Sequence, residues 1–334
     1  MFHWALDLGT THTRVAWWDP AHDEPRLLEL SEICRDSDGD DPLEAPRLVP
    51  SAVHVLDKRS FLDRVGNWSV FAKRCFIGRQ AVIGRQAILQ NNAKPLPNFV
   101  SSFKLGLLSE PLRPLAKAGG KYYNARQVAR FFVRELLAEI HKVTDRRIRE
   151  VVLTAPVDAY ETYRAELARI AQDLGIPRVR FLDEPVAAAL GYGLSLSSDR
   201  FVLIVDFGGG TLHMAVAAIT ARQSEQGRSR IIAKAARSIG GGLVDRWVLE
   251  EVGQYFGFPL KGEAFEEDGQ FWYRQMLAEA RRVKEGVFFN QAATFRLAPP
   301  EILRRPIPGG QPGQLKVEIT KEKLQNILKS NGLY

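Results

Sequence analysis

Two segments of the chain place an aspartate at the end of an apolar run, directly before a turn rich in glycine and threonine. A turn without Cβ atoms lets backbone N–H groups crowd around an anion. Two such turns facing each other could hold the β- and γ-phosphates of a nucleotide, with the aspartates aimed at a hydrated Mg²⁺. Each hairpin alone could equally be an ordinary Asx-type turn, but the matched recurrence favours the phosphate site. The segments are Asp7-Leu8-Gly9-Thr10-Thr11 and Asp206-Phe207-Gly208-Gly209-Gly210-Thr211.

The elements that must position these turns alternate between strands and helices. Strand–turn–strand units are predicted over 2–18 and 201–216, and a weaker strand over 233–237 leads into Gly240-Gly241-Gly242. Further strands are predicted over 150–154 and 178–182. Apolar residues at helical spacing predict helices over 125–143 and 160–175, and Pro185 marks another helix start. Alternation of this kind indicates an α/β fold.

Composition excludes several classes of protein. The 334 residues are 45% hydrophobic and 25% charged, which is typical of a globular protein and not of a disordered chain. The net charge is +7, yet the basic residues are scattered among acidic ones, so nucleic-acid binding is not expected. Cys34 and Cys75 form no disulfide framework, and no apolar run is long enough to span a membrane. With no leader expected before Met1, we predict a cytoplasmic monomer that does not contact membranes.

Three polar or Pro/Gly-rich stretches are predicted to be loops. Residues 36–46 are expected to form a surface excursion, and residues 222–230 the tip of a hairpin. Residues 299–313 are expected to form a long turn between strands over 294–297 and 315–319.

Both turns and the segment that joins them resemble the seventy-kilodalton heat-shock chaperones of the DnaK type. Asp7 to Thr11 resembles the first phosphate segment of that family, Glu184-Pro185-Val186-Ala187-Ala188-Ala189 its connecting segment, and Asp206 to Thr211 its second phosphate segment. The similarity runs from about residue 4 to residue 330. Further segments that resemble family motifs are Pro50-Ser51, Ile83 to Ala87, Ser102 to Gly106, Ala155 to Arg164, and Gly240-Gly241 with Asp245.

This resemblance implies a two-lobed actin-like ATPase fold, built from duplicated ribonuclease H-like domains, with the second lobe truncated. The first lobe is expected over 1–197, with its core at 1–46 and 119–197 and an inserted subdomain at about 47–118. The second lobe is expected over 198–334, with its core at 198–235 and 315–334 and an inserted subdomain at about 236–314.

The resemblance also implies a role for each matching residue. Lys104 would contact the γ-phosphate or the attacking water, although a solvated surface lysine is the alternative. Glu184 and Asp206 would orient that water, and Asp7 and Asp206 would hold Mg²⁺ through water. The remaining residues implied to bind nucleotide are Gly9, Thr10, Thr11, Gly208, Gly209, Gly210, Thr211, Gly240, Gly241 and Lys284.

Two motif residues outside the phosphate segments have an implied role in communication. In the family, residues at the positions of Pro156 and Arg164 relay the nucleotide state to a neighbouring domain. A turn proline and a helix-surface arginine are the alternative for this pair.

Several positions depart from the family pattern. His213 replaces an aspartate, which predicts weaker cation binding, unless His213 is a surface residue of the return strand. His12 is interpreted as a packing residue. On the adenosine side Arg281 stands where the family has glutamate, with Glu279 as a candidate substitute. Phe288 replaces a serine and is expected to be an aromatic core residue or to stack on a base.

The chain reaches Tyr334 before the family's Gly-Gly-x-x-Arg segment, so weak ATP affinity is expected. The first hypothesis is an ATPase domain of a chaperone-like protein that uses ATP/ADP and Mg²⁺, with K⁺ as a further candidate. The second is a degenerate, non-catalytic interaction module with weak or no ATP binding. A filament-forming or kinase relative is the third. Candidate partners are the nucleotide, co-chaperones and other proteins.

Overall fold

The computed structural model describes residues 3–34, 48–56, 79–92, 97–109, 111–156, 160–191, 200–219, 230–237, 239–254, 269–297 and 316–333. The chain forms two compact units, which are called here the first unit (residues 1–238) and the second unit (residues 239–334). The predicted loops at 36–46 and 299–313, together with Cys75, lie outside the described residues, and so does the predicted hairpin tip at 222–230 except for Arg230, which begins a strand.

The first unit contains fourteen of the described strands and five of the described helices. The strands are β1 (Trp4–Leu8), β2 (His12–Asp19), β3 (Glu24–Leu27), β4 (Val49–Pro50), β5 (Val53–Val55), β6 (Ala81–Ile83), β7 (Phe99–Val100), β8 (Pro114–Ala118), β9 (Lys121–Asn124), β10 (Glu150–Ala155), β11 (Arg178–Asp183), β12 (Arg200–Phe207), β13 (Leu212–Ile219) and β14 (Arg230–Arg237). The helices are α1 (Gly84–Asn92), α2 (Lys104–Ser109), α3 (Ala125–Thr144), α4 (Tyr160–Asp173) and α5 (Glu184–Gly191).

A mixed sheet forms the centre of the first unit. Its strand order is β11-β10-β1-β2-β3, and β4 also pairs with β2. The pairs β1–β10 and β10–β11 are parallel, whereas β1–β2 and β2–β3 are antiparallel. The parallel pairing places the carboxyl ends of β1, β10 and β11 at the same edge of the sheet. That edge carries Asp7, Thr154 and Asp183.

Helix α3 packs its apolar face into the largest core cluster of the first unit. Val128, Phe132, Leu136 and Ile140 recur at helical spacing and are buried. Asn124 begins the helix with a capping box, because its side chain accepts from the N–H of Gln127 while its own N–H donates to the Gln127 side chain.

The three-stranded sheet β12-β13-β14 is antiparallel. On one face, Val202 and Ile204 pack around Ala189 of α5 and Ala217 of β13. The opposite face of β12 is exposed, and the four residues on it have between 47% and 76% of their surface accessible to solvent. These exposed residues are Phe201, Leu203, Val205 and Phe207.

The second unit has its own apolar core. Its elements are α6 (Gly241–Gln254), α7 (Gly269–Asn290), β15 (Ala292–Phe295), β16 (Val317–Thr320) and α8 (Lys321–Ser330). The strands β15 and β16 pair antiparallel, as predicted for the strands on either side of 299–313. Buried residues from every one of these elements form the core, including Val248, Val283, Phe295, Ile319 and Leu324.

The α/β architecture and the main strand–turn–strand units follow the sequence predictions closely. The predicted helices over 125–143 and 160–175 are α3 and α4, and Gly175 follows α4 with a φ of +86°. The predicted lobe boundary at residue 197 stays a prediction. Among the described residues, no helix is both long enough and apolar enough to cross a membrane.

Candidate functional site

A cavity of about 610 Å³ opens in the first unit where the β1–β2 turn, the β12–β13 turn and the start of α5 come together. Most of the phosphate-site residues predicted from the sequence line this cavity. Those residues are Asp7, Gly9, Thr10, Thr11, Lys104, Glu184, Asp206, Gly208, Gly209 and Thr211. Residues from segments that are far apart along the chain therefore lie around one cavity.

The first turn is held in place by Ser51. The Ser51 hydroxyl donates to the carbonyl of Gly9 over 2.7 Å, and the Ser51 N–H donates to the carbonyl of Thr11 over 2.8 Å. The Ser51 hydroxyl also lies 3.1 Å from that of Thr13, and both residues are buried. Because Ser51 binds the carbonyls of Gly9 and Thr11, the first turn forms a fixed edge of the cavity.

The second turn approaches the first so closely that a side chain at Gly209 would have to displace the Thr11 hydroxyl. A Cβ at this position would lie 2.1 Å from Thr11 Oγ1, far inside van der Waals contact. A Cβ at Gly210 would lie 3.2 Å from Thr10 Cγ2. Gly208 closes the turn, because its N–H donates to the carbonyl of Thr211 over 2.9 Å. The two turns thus face each other across the cavity, as the phosphate-site hypothesis requires.

Lys104 and Glu184 form a buried ion pair at the cavity wall. Lys104 is the first residue of α2 and is only 5% exposed, so it is not a solvated surface lysine. Phe103 anchors it by packing on Phe132, with ring centroids 5.0 Å apart. The Lys104 ammonium donates to Glu184 Oε1 over 2.6 Å and lies 5.8 Å from the ring centroid of Tyr163.

The electrostatics of this pair favour a charged lysine. Burial on its own lowers the pKa of Lys104, but Tyr163, Glu184 and Asp7 together outweigh it and raise the pKa above its ordinary value. Burial also raises the pKa of Tyr163 to about 12, so its phenol stays neutral at physiological pH. The cavity wall therefore presents a permanent ammonium.

Asp7 is oriented by two residues that the sequence predictions did not include. The Thr154 hydroxyl donates to Asp7 Oδ1 over 2.7 Å, and Arg14 Nη1 lies 3.8 Å from Asp7 Oδ2. Both contacts follow from strand register, since Arg14 is opposite Asp7 on β2 and Thr154 lies beside it on β10. The sequence could have predicted Arg14 as a neighbour of Asp7, because the β1–β2 hairpin places the two residues opposite each other. Thr154 could not be predicted in this way, because its position depends on the pairing of β10 with β1.

His213 is the clearest departure from expectation. It was considered as a surface residue of the return strand, but it is only 3% exposed, so that alternative is wrong. It lies directly opposite Asp206 in the β12–β13 pair, and its Nδ1 is 3.9 Å from Glu184 Oε2. The sequence of β13 does not predict this burial. Met214, next to His213, is the more hydrophobic of the two residues, yet Met214 is the one that is exposed. His12 is half-buried and lines the cavity.

Arg164 contacts Asp183, the residue that precedes Glu184. Its guanidinium forms an ion pair with Asp183 and stacks over the ring of Phe181, with 5.6 Å from Cζ to the centroid. Pro156 is buried at the end of β10. Arg164 is therefore part of the support for the first residue of α5 and not a freely solvated helix residue.

The three candidate residues of the second unit also lie together. Lys284 on α7 donates to the carbonyl of Gly241 over 3.1 Å and pairs with the buried Asp245 over 2.6 Å. The carbonyl of Gly240 accepts from the N–H of Val244 at the start of α6. Arg281 Nε also pairs with Asp245, at 3.1 Å.

The two candidate replacements on α7 have different outcomes. Glu279, considered as a substitute carboxylate, accepts from Arg282 over 2.6 and 2.7 Å and from the N–H of Arg296. Phe288 was expected to be a core residue if it did not stack on a base, but it is 60% exposed. Its neighbour Val287 is fully buried and occupies the core position instead, because it continues the helical spacing of the buried Met276, Ala280 and Val283.

The donor chemistry of the cavity fits a nucleotide phosphate with a hydrated Mg²⁺. Because Gly208, Gly209 and Gly210 have no Cβ atoms, backbone N–H groups of the second turn can approach phosphate oxygens. Asp7 and Asp206 offer carboxylate oxygens, which are the donors that Mg²⁺ prefers. Lys104 adds a cation where phosphate charge would lie.

Comparison with known proteins gives a consistent result. The family model described as Hsp70 protein matches residues 6–328. The chain is 33% identical over 286 residues to a chaperone protein HscA homolog of Shewanella putrefaciens, covering 84% of this chain and 41% of that protein. It is 26% identical over 271 residues to the chaperone protein DnaK of Thermus thermophilus, covering 77% of this chain and 39% of that protein. The chain thus spans about two-fifths of the length of the curated relatives it matches.

Proposed function

Because the chain belongs to the Hsp70 protein family, we propose that it is a nucleotide-binding domain that binds and hydrolyses ATP in a chaperone-like protein. Membership of the family implies the actin-like ATPase fold, and the mixed α/β sheet of the first unit is consistent with it. Hydrolysis of ATP goes beyond that membership and depends on the residues of the cavity.

The observation that carries the proposal is the Lys104–Glu184 pair in the same cavity as both glycine turns. A buried ammonium is stabilised only by specific partners, and this one has Glu184 within hydrogen-bond distance. Phosphate oxygens held by the turns would lie next to that ammonium. The arrangement places positive charge where negative charge develops during phosphoryl transfer.

Each residue has a defined task in this proposal. The N–H groups of Gly9 to Thr11 and of Gly209 to Thr211 bind phosphate oxygens from the two sides. Asp7 and Asp206 hold Mg²⁺ through water, and the ion, when bound, neutralises phosphate charge. Glu184, held by Lys104 through Oε1, orients the attacking water with its second oxygen.

Within the second unit, Gly240, Gly241 and Lys284 are proposed to bind the adenosine part of a nucleotide. Lys284 is held in one conformation by Asp245 and by the carbonyl of Gly241. The relatives are chaperone proteins by name, which supports co-chaperones or other proteins as partners of this chain. A cytoplasmic location, a monomeric state and a role for K⁺ remain predictions.

The test is equilibrium binding of Mg-ATP followed by single-turnover hydrolysis, comparing the wild type with Lys104→Met. Methionine keeps the length of the side chain but removes the ammonium. We expect the hydrolysis rate to fall about 10²- to 10³-fold, as for removal of one group that stabilises developing charge. Binding is expected to fall far less, because the turns provide most of the phosphate contacts.

Two further variants separate chemistry from stability. Lys104→Met leaves the Glu184 carboxylate buried without its partner, so the double variant with Glu184→Gln removes both charges and restores a neutral wall. The exposed Lys121→Met on β9 is the matched control and should hydrolyse like the wild type. Equal hydrolysis rates for the wild type and Lys104→Met would refute the role of Lys104. Failure of the wild type to bind Mg-ATP would favour the non-catalytic interaction module.

A further inference from the structure

His213 presents a buried imidazole nitrogen that the proposed ATPase does not use. Nδ1 is inaccessible to solvent and has no hydrogen-bond partner among the described residues. Glu184 Oε2 is its neighbour at 3.9 Å, too far for a hydrogen bond. A buried polar atom without a partner costs free energy, so a ligand for its lone pair would stabilise the site.

Two carboxylates lie beside that nitrogen. One donor atom each from Glu184, Asp206 and His213 lie within 4.8 Å of one another. Asp206 and His213 are direct partners in the β12–β13 pair, so the sheet itself holds their side chains side by side. Glu184, the first residue of α5, approaches from a separate element, and the cluster is therefore assembled by the fold and not by one flexible loop.

The spacing is close to that of a coordinated ion. Metal–ligand bonds of about 2.0 to 2.2 Å place the donor atoms about 3 to 4 Å apart. The three donors reach this range if their side chains move by less than about 1 Å, and the Glu184–His213 distance is already within it. No other group of three or more histidine, cysteine or acidic side chains with this spacing occurs among the described residues.

The charges of the surroundings allow a cation here. Lys104 places an ammonium beside the cluster, but it occupies Glu184 Oε1 and leaves Oε2 toward His213. Two carboxylates against one ammonium leave the cluster with a net negative charge. Glu184 and Asp206 also line the cavity, so an ion bound by them keeps positions open toward water or phosphate oxygens.

We propose that Glu184, Asp206 and His213 bind a divalent first-row transition-metal ion directly, with Nδ1 of His213 as its nitrogen ligand. One imidazole and two carboxylates suit Mn²⁺, Co²⁺ or Zn²⁺, whereas Mg²⁺ prefers oxygen donors alone and releases its water reluctantly. This site differs from the water-mediated Mg²⁺ site at Asp7 and Asp206, because the protein coordinates the ion itself. It requires no nucleotide.

The test is a titration of the nucleotide-free protein with Co²⁺, followed by its visible d–d absorption. We expect one ion per chain, and competition by Zn²⁺ at lower concentration than by Mg²⁺. The variant His213→Leu should bind Co²⁺ at least ten-fold more weakly, because leucine fills a similar volume and has no donor atom. His141→Leu on α3, a half-buried histidine outside the cluster, is the matched control and should bind like the wild type.

A second measurement requires no variant and so does not depend on folding of His213→Leu. Pulsed EPR of the wild type loaded with Mn²⁺ should show coupling to an imidazole ¹⁴N nucleus. Unchanged Co²⁺ affinity in His213→Leu, Mg²⁺ binding as tight as that of Co²⁺, or absence of the ¹⁴N coupling would each overturn the proposal. Because no ATP is present, a protein without ATPase activity could still pass this test, and an active ATPase could fail it.

Discussion

The buried residues around Lys104 set the electrostatics of the cavity. Tyr163 is fully enclosed by the core and lies beneath the Lys104 ammonium. Its hydroxyl lies 3.5 Å from the carbonyl of Leu8, at the end of the strand that carries Asp7. Because Tyr163 is neutral, it adds no anion behind the Lys104 ammonium, which is paired with Glu184. A further negative charge at this position would repel phosphate.

The raised pKa of Tyr163 predicts a loss of stability in alkali that Tyr163→Phe should remove. The folded-state pKa of about 12 lies above the ordinary value of 10.0, so only the unfolded chain ionises in between. Stability is therefore complete below pH 10 and falls as the pH rises toward 12. Denaturant unfolding should show that the wild type loses about 1 kcal/mol more than Tyr163→Phe between pH 9 and pH 11.

The exposed Tyr122 on β9 provides the control for that comparison. Tyr122→Phe should leave the pH dependence of unfolding as it is in the wild type, because Tyr122 is exposed and lies outside the core. If Tyr163→Phe loses as much stability in alkali as the wild type, the burial argument for Tyr163 is wrong.

At the scale of elements, the site depends on two turns whose conformations the sequence predicts well. Asp, Gly and Thr after an apolar run define both turns, and both occur where predicted. The support of the first turn is less visible in sequence. Ser51 matched a motif, but its bonds to Gly9 and Thr11 depend on the pairing of β4 with β2. A pairing between strands that are distant in sequence is set by tertiary packing and not by local propensity.

The close approach of the turns predicts a specific effect of Gly209→Ala. The new Cβ would displace the Thr11 hydroxyl, which can rotate away, so the thermal midpoint should change little. The rotated hydroxyl no longer faces the phosphates, and we expect affinity for Mg-ATP to fall about ten-fold, the equivalent of one charge-assisted hydrogen bond. Calorimetric titration measures the affinity, and a melting curve checks the fold.

A double-variant cycle with Thr11→Ala distinguishes this mechanism from general damage to the turn. In the Thr11→Ala background the obstructing hydroxyl is absent, so adding Gly209→Ala should cost little further affinity. Fully additive losses would mean that the two turns do not meet as described.

For the whole molecule, the sequence predicts the class of fold, and the division into lobes stays a prediction. Helical periodicity identified α3 and α4 because their apolar faces are regular, whereas β12 presents large apolar residues on both of its faces. An apolar run cannot show which face is covered, so the exposure of Phe201 and Leu203 was not predictable. Along the chain, the boundary between the first unit and the second unit lies between residues 238 and 239.

In the proposed nucleotide site, two turns from distant parts of one chain bind the same phosphates. Hydrogen–deuterium exchange of the whole protein, with and without Mg-ATP, tests this most directly, because bound phosphate should slow exchange of the backbone N–H groups that contact it. We predict that both Gly9 to Thr11 and Gly209 to Thr211 become protected. Protection of only one turn, or of neither at saturating Mg-ATP, would contradict the proposal that both turns bind the same phosphates.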